Sequence, residues 1–232
     1  SDGMAGQEFS VTYKMPSNKD TVEAKLYCSR DLGKWGGCVT ALQAVTVKEA
    51  DGDVFDSEDL DAQVKIMQYA QPQNVSLTKE GNADWKLFTS TDLTQIEKKA
   101  GGRGISNLSA IQAVSKLNGD PSDALFSYTD GTNSKEGSYN KGIVFEKAGN
   151  GIQFTLPYRP AGQQADIYLG AWSSKVKIHA AAVKGNQIIE EYVRYFDTGE
   201  QASEAPAIYQ VVSLDYRLED PESVLQVEIS NE

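Results

Sequence analysis

Two cysteines, Cys28 and Cys38, bracket nine residues in "YCSRDLGKWGGCV" (27–39), and Trp35 stands there between Lys34 and a Gly-Gly pair. Such a layout could serve a metal, a redox pair, a stapled hairpin or a ligand-binding tip. Zinc would need four ligands, and the single histidine, His179, is far away in sequence. The spacing is not C-x-x-C, so a thioredoxin-like redox motif is excluded. A disulfide across a hairpin mouth is the favoured reading over two free thiols. It would stabilise by roughly 2–3 kcal/mol through loop closure, and it implies an oxidising, extracellular setting.

Trp35 lies among Arg30, Asp31 and Lys34, with glycines on both sides that remove shielding side chains. A flat ring exposed in this way matches the apolar C–H face of a sugar, and charged or amide neighbours can hydrogen-bond the hydroxyls. The alternative is that Trp35 folds back over its own hairpin. Tyr139, in the long polar stretch "NSKEGSYNKG", is a second candidate of the same kind. Tyr128 and Tyr158 sit at strand ends and suit either packing or stacking. Trp85 and Trp172 fall on strands near Leu87 and Leu169 and read as core or inter-sheet packing, with Trp172 kept among the stacking candidates.

A catalytic constellation is harder to find. His179 falls on the solvent side of an alternating strand, after Lys175 and Lys177, and reads as an ordinary exposed residue. There is no G-x-S-x-G elbow and no nucleotide-type glycine loop. "AGGRGIS" is not followed by a helix pattern, so it does not cradle a phosphate. "EADGDVFDSEDLD" (49–61) is acid-rich but lacks the EF-hand spacing and reads as a solvated linker. Neither a catalytic pair, a metal site nor a cofactor is expected.

The elements that must position these residues are strands. Period-two alternation dominates: in "KVKIHAAAV", Val176, Ile178 and Ala180 face one way, and in "SVLQVEI", Leu225, Val227 and Ile229 alternate with Gln226 and Glu228. Turn clusters such as "GNG" (149–151) and "DGT" (130–132) separate the runs. Helical periodicity is predicted in one place, where Ser57 would cap "EDLDAQVKIMQYA" with Leu60, Val64 and Met67 on one side. The fold class is therefore all-β, an antiparallel β-sandwich of jelly-roll type with one short helix.

The chain has 232 residues and a net charge of −11, with 40% hydrophobic residues, as in an ordinary globular protein. Its acidity argues against nucleic acid or an anionic membrane as partner. "SDGMAGQEFS" opens without the regions of a signal peptide, so a signal removed on secretion or a longer parent chain is expected. One segment is written twice. "SVTYKMPSNKDTVEAKLYCS" (10–29) lies over "SLDYRLEDPESVLQVEISNE" (213–232) without a gap, matching Tyr13 with Tyr216 and Lys14 with Arg217. The expected organisation is 1–50 as strands resembling a module's end, docked on the rest, then an acidic linker (51–59) and a β-sandwich module (60–232). "CVTALQAVTV" would take a vacant edge place, as in a circular permutation, or the chain would form two lobes with a ligand groove between them.

"DWKLF", "KKAGGRGISNL", "LFSYTDGT", "GNGIQFTLPY" and "ADIYLGAWSSKVKIHAAAV" follow one another across 84–183. Together they resemble a β-sandwich accessory module that recurs, often in tandem, in large secreted carbohydrate-active proteins of Gram-positive bacteria. The opening "SDG" and the run 7–47 look like the closing strands of the same module, so that the resemblance covers about three-quarters of the chain; it departs at "KGNQIIEEYVRYFDTGEQASEAPA" (184–207). It implies a non-catalytic, extracellular part of a larger multidomain protein that binds a polysaccharide or oligosaccharide. An α-glucan such as starch is one candidate ligand. A structural spacer or adhesin-type repeat without a glycan ligand is the alternative.

Overall fold

Along 223–231 one phase of the alternation turns inward, whereas along 165–171 and 211–216 both phases are buried. The computed structural model describes residues 39–49, 62–114, 116–118 and 124–232, all within the compact unit Leu32–Glu232. In chain order the strands are β1 (Val39–Glu49), β2 (Ala62–Ala70) and β3 (Asn74–Ser76), followed by one helical turn, α1 (Leu77–Glu80). Next come β4 (Asp84–Leu87), β5 (Glu97–Lys98), β6 (Ser106–Ile111), β7 (Lys116–Asn118), β8 (Leu125–Tyr128) and β9 (Gly137–Tyr139). The chain continues through β10 (Gly142–Phe145), β11 (Gly151–Leu156), β12 (Gln163–Trp172), β13 (Lys175–Lys184), β14 (Gln187–Asp197), β15 (Ile208–Leu218) and β16 (Ser223–Asn231).

These strands form an all-β sandwich whose two large sheets are antiparallel, as the alternation predicts; only β3 and β8, in the small third sheet, pair in parallel among the described strands. The larger sheet runs β2-β15-β12-β1-β10-β7, with β4 and β5 attached at β1; the second runs β14-β13-β16-β11-β6. Between them lies the main core, where Val176, Ile178, Ala180, Leu225, Val227 and Ile229 meet Ile167, Leu169, Val212 and Leu214. Each fully buried Leu, Ile or Val here contributes about 1.5–3 kcal/mol. A third layer, β3-β8-β9 with α1, covers the other face of the larger sheet. There Leu77, Phe126 and Tyr128 pack with Trp85 and Leu87 against Ala44, Tyr168 and Val211. Among the described residues the larger sheet is thus covered on both faces, and the five-stranded sheet on one.

One expectation changes. The predicted helix after Ser57 is instead a strand over its described part. Ala62–Ala70 pairs antiparallel with β15 from Ala62 opposite Leu218 to Ala70 opposite Gln210. Val64 and Ile66 are both buried, a period of two and not of 3.6. Acids and a serine ahead of the run are local signals. A full ladder to β15 and β-branched side chains outweigh them. The only helix among the described residues is α1, anchored by fully buried Leu77. β1 itself lies between β12 and β10 in the larger sheet. The first copy of the repeat (10–29) and the acidic linker (51–59) lie outside the described residues.

Candidate functional site

Three of the motifs of the resemblance, around Asp84, Gly102 and Asp130, converge, and three carboxylates pin them together. Fully buried Asp84 accepts from the Trp85 N–H on Oδ1 at 2.8 Å and from the Gly104 and Ile105 N–H groups on Oδ2 at 2.9 Å each. Glu97, 4% exposed, accepts from the backbone N–H of Thr132 and Asn133 at 2.9 Å and of Ser134 at 3.0 Å. Asp130 takes the Trp85 indole N–H at 2.9 Å, the Thr78 hydroxyl at 2.8 Å and the Lys99 ammonium. Burial works against ionising Asp130, yet these hydrogen bonds and the Lys99 charge hold its carboxyl below its ordinary value. The Asp-Trp, Ala-Gly-Gly and Thr-Asp-Gly-Thr stretches therefore serve to hold loops. Their donors and acceptors are spent on one another.

The predicted stacking aromatics are not brought together. Tyr128 is 8% exposed, its ring 4.9 Å from that of Trp85 and its hydroxyl 3.4 Å from Glu97 Oε2, so it offers no free face. That corrects its place among the stacking candidates, because the small-sheet core claims its ring. Tyr139, opposite Phe126 in the same small sheet, packs half-buried against that core, and burial pushes its phenol up. Tyr158 packs against the main core. Trp172 ends β12 opposite Val39 and is half-buried. Trp85, predicted as packing, is fully buried. Cys28, Arg30, Asp31, Lys34, Trp35 and Cys38 lie outside the described residues. Among the described residues no group of three or more His, Cys, Asp or Glu could hold a metal ion.

Among the described residues no further layer of strands lies over the outer face of the five-stranded sheet, which is made of the other phase of the strands whose apolar phase builds the core; Ala181 on this face is buried. Registers align its side chains in rows across the strands. One row is Val193 (β14), His179 (β13), Glu228 (β16), Gln153 (β11) and Ser109 (β6). Beside it run Glu191, Ala181, Gln226, Thr155 and Ser106. Val193, Glu191, Gln226, Gln153 and Ser106 are exposed; His179, Glu228, Thr155 and Ser109 are half-buried.

Hydrogen bonds fix much of this face. His179 Nε2 lies 3.0 Å from Glu191 Oε2 and its Nδ1 3.6 Å from Glu228 Oε2, so the imidazole is held between carboxylates of both flanking strands. Gln153 Nε2 donates to Ser109 Oγ at 3.1 Å, and Asn107 Nδ2 to Thr155 Oγ1 at 3.0 Å. At the β14 border the Tyr195 ring is 45% exposed, with Lys175 Nζ 4.2 Å from its centroid. Such an arrangement can present ordered donors and acceptors beside an aromatic ring.

The polar phase of the alternation signals this face in the sequence, through Lys175, Lys177 and His179 and through Gln226 and Glu228. Tyr195 was missed, since it lies in the stretch where the resemblance fails. That stretch forms β14, entered by a turn in which Gly185 has a φ of 61°. No protein family, curated protein or solved structure matches this chain. No helix among the described residues is long and apolar enough to cross a membrane.

Proposed function

We propose that the chain is a non-catalytic carbohydrate-binding module of a secreted multidomain protein, and that glycan lies on the outer face of the five-stranded sheet. One observation carries the reading. Imidazole, carboxylate, amide and hydroxyl groups line up across β13, β16, β11 and β6 next to the exposed Tyr195 ring. Sugar hydroxyls need paired donors and acceptors held in place, because ordering loose side chains costs about 0.5–1.5 kcal/mol each. Strand-borne residues already in mutual hydrogen bonds have little left to order. The acidic chain and the resemblance in 84–183 support a neutral, extracellular ligand over nucleic acid.

Affinity electrophoresis against a panel of soluble polysaccharides tests this. Retardation by at least one glycan is expected, and it should weaken in the Gln153→Ala/Gln226→Ala variant while the melting temperature holds. Unretarded migration on the whole panel would overturn the reading in favour of a spacer.

A further inference from the structure

We infer that the ligand of this face is an extended, uncharged glycan lying across the strands, about one sugar to a strand; this rests on the glycan-binding reading above. Neighbouring strands are about 4.8 Å apart, close to the length of one sugar unit in an extended chain. Along any one strand, same-face side chains are separated by two residues, about 6.6 Å, a step that does not match. A chain running along a row therefore meets a new polar side chain at each sugar. The row His179–Glu228–Gln153–Ser109 supplies such a series over four adjacent strands, with Val193 on the fifth. A glycan that coils within a few units would leave the row and lose contact with its ends.

Charge selects further. Both lysines on the face already have partners, Lys175 the Tyr195 ring and Lys177 the Glu232 carboxylate at 3.8 Å, and the His179 imidazole lies between Glu191 and Glu228. Four carboxylates, those of Glu191, Glu228, Glu232 and of Asp197 opposite Lys175, thus stand against two lysines and the imidazole on this face, within a chain of net charge −11. A uronate would bring its charge within a Debye length of about 8–10 Å of those carboxylates, with no free cation to meet it. A neutral sugar meets only hydrogen-bonding groups.

The test is calorimetric titration with β-1,4-linked gluco-, manno- and xylo-oligosaccharides of two to six units, maltooligosaccharides of the same lengths, and polygalacturonate. In at least one extended series affinity should rise with each added sugar to about four or five units and then level off. Maltooligosaccharides should bind about tenfold more weakly at equal length, and polygalacturonate not measurably. Gln153→Ala should lower affinity for the long members of that series about tenfold. A plateau at two units, maltooligosaccharides as tight as the extended series, or tight polygalacturonate binding would each overturn this inference while leaving glycan binding standing. Absence of binding to every sugar here and to every polysaccharide of the panel would overturn the underlying reading as well.

Discussion

Gly102 passes over the carboxylate of Asp84 with so little clearance that a Cβ at this position would stand 2.0 Å from Asp84 Oδ1. The same carboxylate holds the Gly104 and Ile105 amides, so it cannot swing away without leaving them unpaired. Gly102→Ala should therefore cost about 2–3 kcal/mol, as overpacking beside a buried charge does. Gly101, next to it, has a φ of 72° and nothing within 4 Å of its would-be Cβ. Gly101→Ala should cost only the left-handed backbone strain, about 1–2 kcal/mol. Urea midpoints of the two variants give the comparison; a Gly102→Ala protein as stable as the wild type would show that this crossing is slack.

Asp130 gives the fold an acid-sensitive joint. Its carboxyl is held below the ordinary carboxylate value in the folded protein, so the stabilisation is fully present above the unfolded value of about 4. It is lost as pH falls through the lower folded value. Asp130→Asn should cost about 1–3 kcal/mol at neutral pH, because the Trp85 indole and the Lys99 ammonium lose a charged acceptor. It should also flatten the stability profile below about pH 4. Denaturant titrations from pH 2 to 7 on both proteins measure this; parallel acid limbs would mean that other carboxylates carry the loss.

How far the sequence reveals all this differs from one feature to another. The alternation in 175–180 and 223–229 predicts correctly which side chains form the core, because burial on a strand has a period of two, while Ala181 and Val183 are buried against that phase. The strand over 62–70 is misread as helix because Leu60, Val64 and Met67 also fit a period near 3.6. Only the ladder to β15 decides between the two. The candidate face is less legible still. His179, Glu228 and Gln153 belong to separate strands, and nothing local to any of them says that β13, β16 and β11 are neighbours. The same holds for Tyr128, whose place at a strand end leaves open whether its ring meets solvent or Trp85.

Tyr216 carries a prediction at the alkaline end. Its ring is fully buried, and its hydroxyl lies 2.7 Å from Gln163 Oε1, with the Pro157 carbonyl 3.2 Å away. Burial pushes the phenol well above its ordinary value, although the Arg159 charge opposes this. A raised folded value means that the contribution is complete below the unfolded value near 10 and is lost as pH rises beyond it. Tyr216→Phe should cost about 1–2 kcal/mol at pH 7 through the unpaired Gln163 oxygen. Above pH 10 the gap between the two proteins should narrow. A constant gap up to pH 11.5 would contradict the assignment.

Glu97 closes the loop after β8 in the way a bound anion would. One oxygen takes the Thr132 and Asn133 amides and the other the Ser134 amide, three successive N–H groups turned toward one carboxylate. Glu97→Gln keeps the size but replaces one acceptor oxygen by an NH2 group. With either orientation of the amide, a donor then faces a backbone donor. The expected loss is about 2–3 kcal/mol of global stability. A more local effect follows, since residues 129–136 lose the group that orders them while the sandwich core stays intact. Hydrogen exchange followed by mass spectrometry should show Thr132, Asn133 and Ser134 deprotected at least tenfold in the variant and deuterated before the β13–β16 ladder. Equal protection of these three amides in both proteins would mean that the loop is held by its own turns and not by Glu97.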